Sequence, residues 1–205
     1  MKKIVIVGAS GHGKVVADIA RLNGYKEIVF LDDNKETKRC GNYSVVGTSD
    51  LINELNCDFI VAIGNPTVRE KVFNRLMLAG KSIATLIHPD SVIGENVIVG
   101  EGTVVMAGAV INPCTTIGKG CIINTCSSVD HDNCLGDFVH VSVGAHIAGT
   151  VSIDARTWVG AGATVINNIN ITKDCMIGAG AVVVNDIETS GTYIGVPAKL
   201  KEKCS

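Results

Sequence analysis

From Ile93 to Val183 every sixth residue is aliphatic: Ile93, Val99, Val105, Ile111, Ile117, Ile123, Val129, Leu135, Val141, Ile147, Ile153, Val159, Val165, Ile171, Ile177 and Val183. This period fits neither the roughly 3.6-residue turn of an α-helix nor the two-residue alternation of a strand, and a short fixed repeat is the signature of a solenoid. One step after the aliphatic residue come Gly94, Gly100, Asn112, Gly118, Asn124, Asp130, Gly136, Gly160 and Gly178, types that turn a chain cheaply and tolerate positive φ. Four steps after it come Val97, Thr103, Ala109, Thr115, Cys121, Ser127, Ala145, Thr157, Ala163 and Ala181, mostly small. Each hexad therefore reads as one short strand and a corner.

The first 85 or so residues lack this period. Ile4–Val7 reads as a buried strand, Gly8-Ala9-Ser10-Gly11-His12-Gly13 as a glycine-rich turn and Val15–Leu22 as the start of an amphipathic helix. Further strands end in Asp32-Asp33 and in Gly64-Asn65-Pro66. The alternation is βαβ, and parallel sheets bind ligands at the loops that follow their strands. Ser10 stands where a full dinucleotide fingerprint has its second glycine, yet the loop still joins backbone N–H groups to a helix N-terminus, which suits a phosphate. Asp32 follows at the distance where an acid meets a ribose hydroxyl in such folds. A segment this short holds a mononucleotide or nucleotide-sugar better than a dinucleotide. The domains expected are 1–85, Rossmann-like, and 86–205, β-helix with a C-terminal tail.

Composition narrows the class. A hydrophobic content of 46% can fill a core, and a net charge of −2 gives no electrostatic case for nucleic acid or an acidic membrane. Apolar runs fall far short of the roughly 18 residues that span a bilayer, and Met1-Lys2-Lys3 leads into a strand rather than a signal segment. The expectation is a soluble cytoplasmic protein. The eight cysteines contain no CxxC pair, so free thiols are expected, with Cys121 and Cys175 buried in the small-residue column.

Several motifs occur in a fixed order: the glycine loop, Phe30-Leu31-Asp32-Asp33, Ala62-Ile63-Gly64-Asn65 and the hexapeptide array. Within and after the array come Ser127-Ser128-Val129-Asp130-His131-Asp132, Gly136–Ala145 and Gly195-Val196-Pro197-Ala198-Lys199. Together they resemble the hexapeptide-repeat sugar acetyltransferases typified by the UDP-4-amino-sugar N-acetyltransferase of bacillosamine synthesis, related to sialic acid O-acetyltransferases. The resemblance spans nearly the whole chain. It implies an α/β Rossmann-like domain followed by a left-handed parallel β-helix, three hexads per coil, and a homotrimer with active sites between subunits. It also implies that Ser10, Gly11, His12, Asp32, Asp33 and Gly64 hold the nucleotide-sugar, that His131 is the general base beside Asp132, and that His140, Gly149, Ala161 and Ala179 line the acetyl-CoA site. No metal is expected.

Acetyl transfer to a sugar amine needs a base that titrates near the working pH, and histidine does. With 18 residues per coil, Gly149 falls one coil beyond His131, where a glycine leaves room for a thioester and offers a backbone N–H to the oxyanion. Ala179 stacks over Ala161 as a smooth strip for a pantetheine arm, and Trp158 stacks over His140. A direct His131–Asp132 contact requires the pair to sit at a corner; water-mediated contact and a solvated Asp132 are the alternatives. Three other functions are open: O-acetylation of sialic acid or N-acetylation of a GDP-amino-sugar, a β-helical metalloenzyme of carbonic-anhydrase type, and a sugar-nucleotide-binding scaffold. The metalloenzyme needs three converging histidines, and the spacing of His131, His140 and His146 spreads them over different faces.

Overall fold

The computed structural model describes residues 2–201 of the chain, so Cys204 lies outside the described residues. Two compact units divide at Pro89/Asp90. In the first, β1 (Lys3–Val7) leads to α1 (Gly11–Leu22), β2 (Glu27–Leu31), β3 (Arg39–Cys40), β4 (Tyr43–Gly47), β5 (Asp58–Val61) and α2 (Pro66–Leu78). The sheet order is β3-β4-β2-β1-β5, with β1 parallel to both β2 and β5. The strands are continuous apolar runs because both faces are covered: Ile4, Val5, Ile6, Phe30, Phe59 and Ile60 are wholly buried. The chain leaves β1 towards β2 and returns to β5 on its other side, so the order reverses at the C-terminal end of β1.

The second unit is a three-faced parallel β-helix built of two-residue strands. The first face stacks Val92–Ile93, Val110–Ile111, Ser128–Val129, His146–Ile147, Thr164–Val165 and Val182–Val183. The second stacks Ile98–Val99, Thr116–Ile117, Cys134–Leu135, Ser152–Ile153 and Asn170–Ile171. The third carries Val104–Val105, Ile122–Ile123, His140–Val141, Trp158–Val159 and Met176–Ile177. Partners along these stacks are 18 residues apart throughout, as in Ser128 with His146 and His140 with Trp158. From Val105 onwards the sixth-residue aliphatics all point inward and are at most 2% exposed. Burying each such side chain contributes roughly 1.5–3 kcal/mol.

The small column is the other half of the interior. Thr103, Thr115 and Thr157 are wholly buried, and each hydroxyl donates to a corner carbonyl of the next coil: Gly118, Asp130 and Thr172 respectively. Cys121 and Cys175 are buried free thiols of this column.

The corners differ from the expectation. Positive φ falls three residues after the aliphatic position, not one, and recurs every sixth residue from Asn96 to Gly180. Cys114, Cys126, Asp132, Phe138, Thr150 and Arg156 adopt it as well as the glycines. Neighbours make two of these strained positions tolerable: the Phe138 ring packs where a Gly120 side chain would be, and Arg156 forks onto the Asp174 carboxylate at 2.6 and 2.8 Å. The glycines one step after the aliphatic residue serve a different purpose. A Cβ on Gly100 would lie 2.5 Å from the Gly118 carbonyl carbon, and one on Gly118 would lie 2.7 Å from Gly136. They are the points where successive coils touch backbone to backbone.

The repeat closes with a shortened coil. Met176 pairs with Thr192 and Ile171 bridges Ile187, each sixteen residues apart rather than eighteen. Tyr193 then pairs antiparallel with Leu200, and Val182 is hydrogen-bonded through both backbone groups, donating to Gly195 and accepting from Ala198.

The two kinds of glycine should behave oppositely. Gly118→Ala is expected to cost about 1–3 kcal/mol by overpacking, whereas Gly144→Asn should be nearly neutral, since Gly144 has φ +60 and open space around it and asparagine tolerates αL. Thermal or denaturant unfolding of the two variants checks this.

Candidate active site

At the end of β1 a cavity of about 280 Å³ is lined by Val7, Gly8, Ser10, Leu31, Asp32, Asp33, Ala62, Ile63, Gly64, Val68 and Val72. Four of the six residues expected to hold a nucleotide, Ser10, Asp32, Asp33 and Gly64, thus share one lining. Gly8 has φ +112, and a Cβ there would press on the Ala62 carbonyl; a Cβ on Gly13 would strike the Gly8 carbonyl. These two glycines fold the loop tightly, while Gly11 faces open space. Ser10 is the N-cap of α1 but its hydroxyl makes no capping bond. The Asp pair is anchored: Asp32 accepts from the Ala9 and Asn34 amides at 2.7 and 2.9 Å, and Asp33 from the Ser49 amide at 2.9 Å. The Ser49 bonds hold the Asp33 carboxyl below its usual range. A second depression of about 290 Å³ shares Asp32 and adds Lys35 and Lys38.

His12 is not among the residues that line this cavity. Burial, and secondarily the charge of Arg69, push its imidazole down to about 4. It is therefore neutral at physiological pH, and its buried Nε2 has no hydrogen-bond partner among the described residues. Arg69, which no motif marks, is 1% exposed and donates from Nη1 to the carbonyls of Ile63 and Gly64 at 2.9 and 2.7 Å. It fixes the loop that closes the cavity.

On the β-helix, Asp130, His131 and Asp132 form the corner between the first and second faces. Asp132 has φ +57, which turns its side chain back onto the preceding residue, and His131 Nδ1 lies 2.7 Å from Asp132 Oδ2. Of the alternatives left by the sequence, the structure shows direct contact. An ionised carboxylate only accepts, so Nδ1 carries the proton and Nε2 the lone pair. The Asp132 hydrogen bond, followed by the Asp130 charge, raises the His131 pKa. Among the described residues Nε2 bonds to no protein group. The ring is 56% exposed.

Gly149 lies under this imidazole. A Cβ there would fall 2.6 Å from His131 Cε1, so the room left by the glycine is filled by the imidazole itself. His140 sits on the third face, 7% exposed and stacked on Trp158 with centroids 4.7 Å apart. Ala161 and Ala179 are exposed and consecutive at the corner between the third and first faces; the Gly180 amide donates to the Ala161 carbonyl. One chain thus separates His131 and Gly149 from His140, Ala161 and Ala179 by the width of the first face. His146 lies on that face, with Nδ1 2.8 Å from the Ser128 hydroxyl. The three histidines of the metalloenzyme reading occupy two faces and a corner, and among the described residues no group of three or more His, Cys, Asp or Glu side chains gathers as a metal would require.

A glycine-looped parallel sheet is thus followed by a hexapeptide-repeat β-helix with an exposed His–Asp pair at one corner. Comparison with known proteins narrows this. Residues 3–76 match the model of the PglD N-terminal domain. The chain is 37% identical over 113 residues to UDP-N-acetylbacillosamine N-acetyltransferase of Bacillus subtilis, a match spanning 52% of each. It is 30% identical over 164 residues to GDP-perosamine N-acetyltransferase of Escherichia coli O157:H7, covering 76% of this chain and 74% of that one. The acetyltransferase domain of PglB from Neisseria gonorrhoeae, solved with acetyl coenzyme A, superposes with a TM-score of 0.94 at 40% identity, covering 98% of this chain and 99% of that one. The chain belongs to the hexapeptide-repeat sugar acetyltransferases, and its fold is the Rossmann-like sheet and left-handed β-helix expected. No described helix is long and apolar enough to cross a membrane.

The His12 environment has a pH signature. Its folded pKa lies below the ordinary 6.5, so the unfolded chain binds the proton more tightly and stability falls as pH drops from about 6.5 to about 4, by roughly 3 kcal/mol in all. His12→Gln should flatten the melting temperature over that window, measured by thermal unfolding at each pH.

Proposed function

We propose that the protein transfers the acetyl group of acetyl-CoA to the amino group of a nucleotide-linked sugar, a UDP-4-amino-4,6-dideoxy sugar in the leading reading. The observation that carries this is the His131–Asp132 pair. The cavity after β1 takes the nucleotide, with Asp32 and Asp33 holding the loop geometry as well as facing the ligand. The loop amides and the N-terminus of α1 complement the diphosphate. His12, neutral and buried, serves as a hydrogen-bonding group and not as a cation.

His131 Nε2 removes the proton of the amine as its nitrogen attacks the thioester carbonyl. Asp132 keeps the proton on Nδ1 and stabilises the imidazolium that forms. The Gly149 amide is the candidate donor to the oxyanion, and acetyl-CoA lies along His140, Ala161 and Ala179. Because these are a face away from His131 within one chain, a complete site needs two subunits. A trimer that turns the third-to-first corner of one protomer towards the first-to-second corner of the next supplies it. Val143 and Ile166, 51% and 37% exposed at those two corners, suit such contact. The similarity to the GDP-perosamine enzyme keeps a GDP-amino-sugar as the second reading.

Thiol release from acetyl-CoA against UDP- and GDP-linked amino sugars tests the reaction, and thermal shifts with the same panel select the nucleotide. His131→Ala should lose about 10²-fold or more in rate while retaining its melting temperature; wild-type turnover in that variant overturns the base assignment. Since the imidazole is raised above 6.5 chiefly by Asp132, the acidic limb of kcat/KM should lie above that value and move down in Asp132→Asn. Co-expressed His131→Ala and Ala161→Trp chains should together recover activity that neither has alone. Without that recovery the shared site falls.

A further inference from the structure

Beyond the base, the first-to-second corner holds a carboxylate that the mechanism has not used. Asp130 Oδ1 accepts two hydrogen bonds, 2.7 Å from Asn112 Nδ2 one coil earlier and 2.9 Å from the backbone N–H of His131. Among the described residues no protein group donates to Oδ2. Asp130 lines a groove of about 410 Å³ over the first face, together with Ser128, His146, Thr164 and Asn167. Among the described residues no other carboxylate lines it, and neither lysine nor arginine does. The diphosphate of a nucleotide or the phosphates of CoA would meet uncompensated negative charge here, whereas a cation would be held by it.

Resting on the amino-sugar reading above, we propose that Asp130 Oδ2 receives the protonated amino group of the acceptor and presents it to His131, making this groove the subsite for the sugar ring. Aliphatic amines are largely protonated at neutral pH, so the acceptor arrives as R–NH3⁺ and cannot attack in that form. The ammonium docks on Asp130 and gives one proton to neutral His131, whose exposed ring passes it to water. The neutral amine then attacks the thioester carbon, forming the C–N bond. His131 takes the second nitrogen proton, the C–S bond breaks, and that proton leaves with the CoA sulfur as thiol. Asp130 exchanges no proton; its fixed charge selects an amine over a hydroxyl. The Asn112 and His131 hydrogen bonds hold the Asp130 carboxyl below its ordinary pKa, which keeps it ionised for this purpose.

Asp130→Asn isolates the charge, because the amide oxygen still accepts from Asn112 and from the His131 amide while an NH2 replaces Oδ2. The readout is calorimetric affinity for a nucleotide-linked 4-amino sugar against its 4-hydroxyl analogue, on the nucleotide chosen by the thermal-shift panel. Wild type should favour the amine by roughly 10- to 100-fold at pH 7, the worth of a charged hydrogen bond. The variant should bind both alike, with its affinity for the hydroxyl analogue and its melting temperature unchanged. An equal loss for both analogues would indicate a structural role and overturn the proposal, as would discrimination that survives in the variant or is absent from wild type. The affinity ratio needs no turnover, so it stands apart from the thiol-release assay: failure of that assay with the ratio intact would remove acetyl transfer but not the ammonium subsite.

Discussion

The structure rests on the backbone ladder between coils. Each two-residue strand is too short to be stable alone, and its amides are satisfied only because the strand 18 residues on presents carbonyls in register, as in the Val110 N–H to Ser127 carbonyl bond at 3.0 Å. That register survives only if every corner turns the chain by the same amount. The left-handed conformation repeated every sixth residue supplies this, even at residues such as Phe138 and Arg156 for which it is unfavourable by about 1–2 kcal/mol. The bare glycine contacts between coils and the buried threonine hydroxyls that bond to the next coil lock the same spacing from outside and inside.

Given that lattice, chemistry is a matter of address. The His131 imidazole stands over Gly149 because the coil puts a residue without a side chain there, and Asp132 reaches it because the corner turns the chain back. The two units also differ in the charge they present. The glycine loop, a helix N-terminus and the nearby Lys35 and Lys38 suit phosphates, whereas the groove over the first face carries the Asp130 carboxylate and, among the described residues, no lysine or arginine.

The β-helix was legible in the sequence because inward packing leaves a periodic record: the aliphatic column and the small column are both where the hexads put them, including the buried Cys121 and Cys175. The corner was not. Positive φ is carried there by Asn, Cys, Asp, Phe, Thr and Arg as well as Gly, so no residue type signals it, and the conspicuous glycines mark close approach instead. At the site, column arithmetic placed Gly149 by His131 but could not say what filled the space. Side-chain direction at a corner depends on φ, which the pattern does not encode. Arg69 was invisible for another reason: an arginine in a helix reads as solvated, and only the fold shows it buried against the Ile63 and Gly64 carbonyls.

A coil that can stack on the coil before it can equally stack on another molecule, since the last strand of a β-helix offers the same unpaired amides to any copy in solution. The sixteen-residue final coil ends the repeat out of step, and the returning tail occupies both backbone groups of Val182. An arriving chain at that strand finds neither the spacing nor the free hydrogen-bonding groups it would need. This slip of two residues thus works as a stopper against head-to-tail fibres.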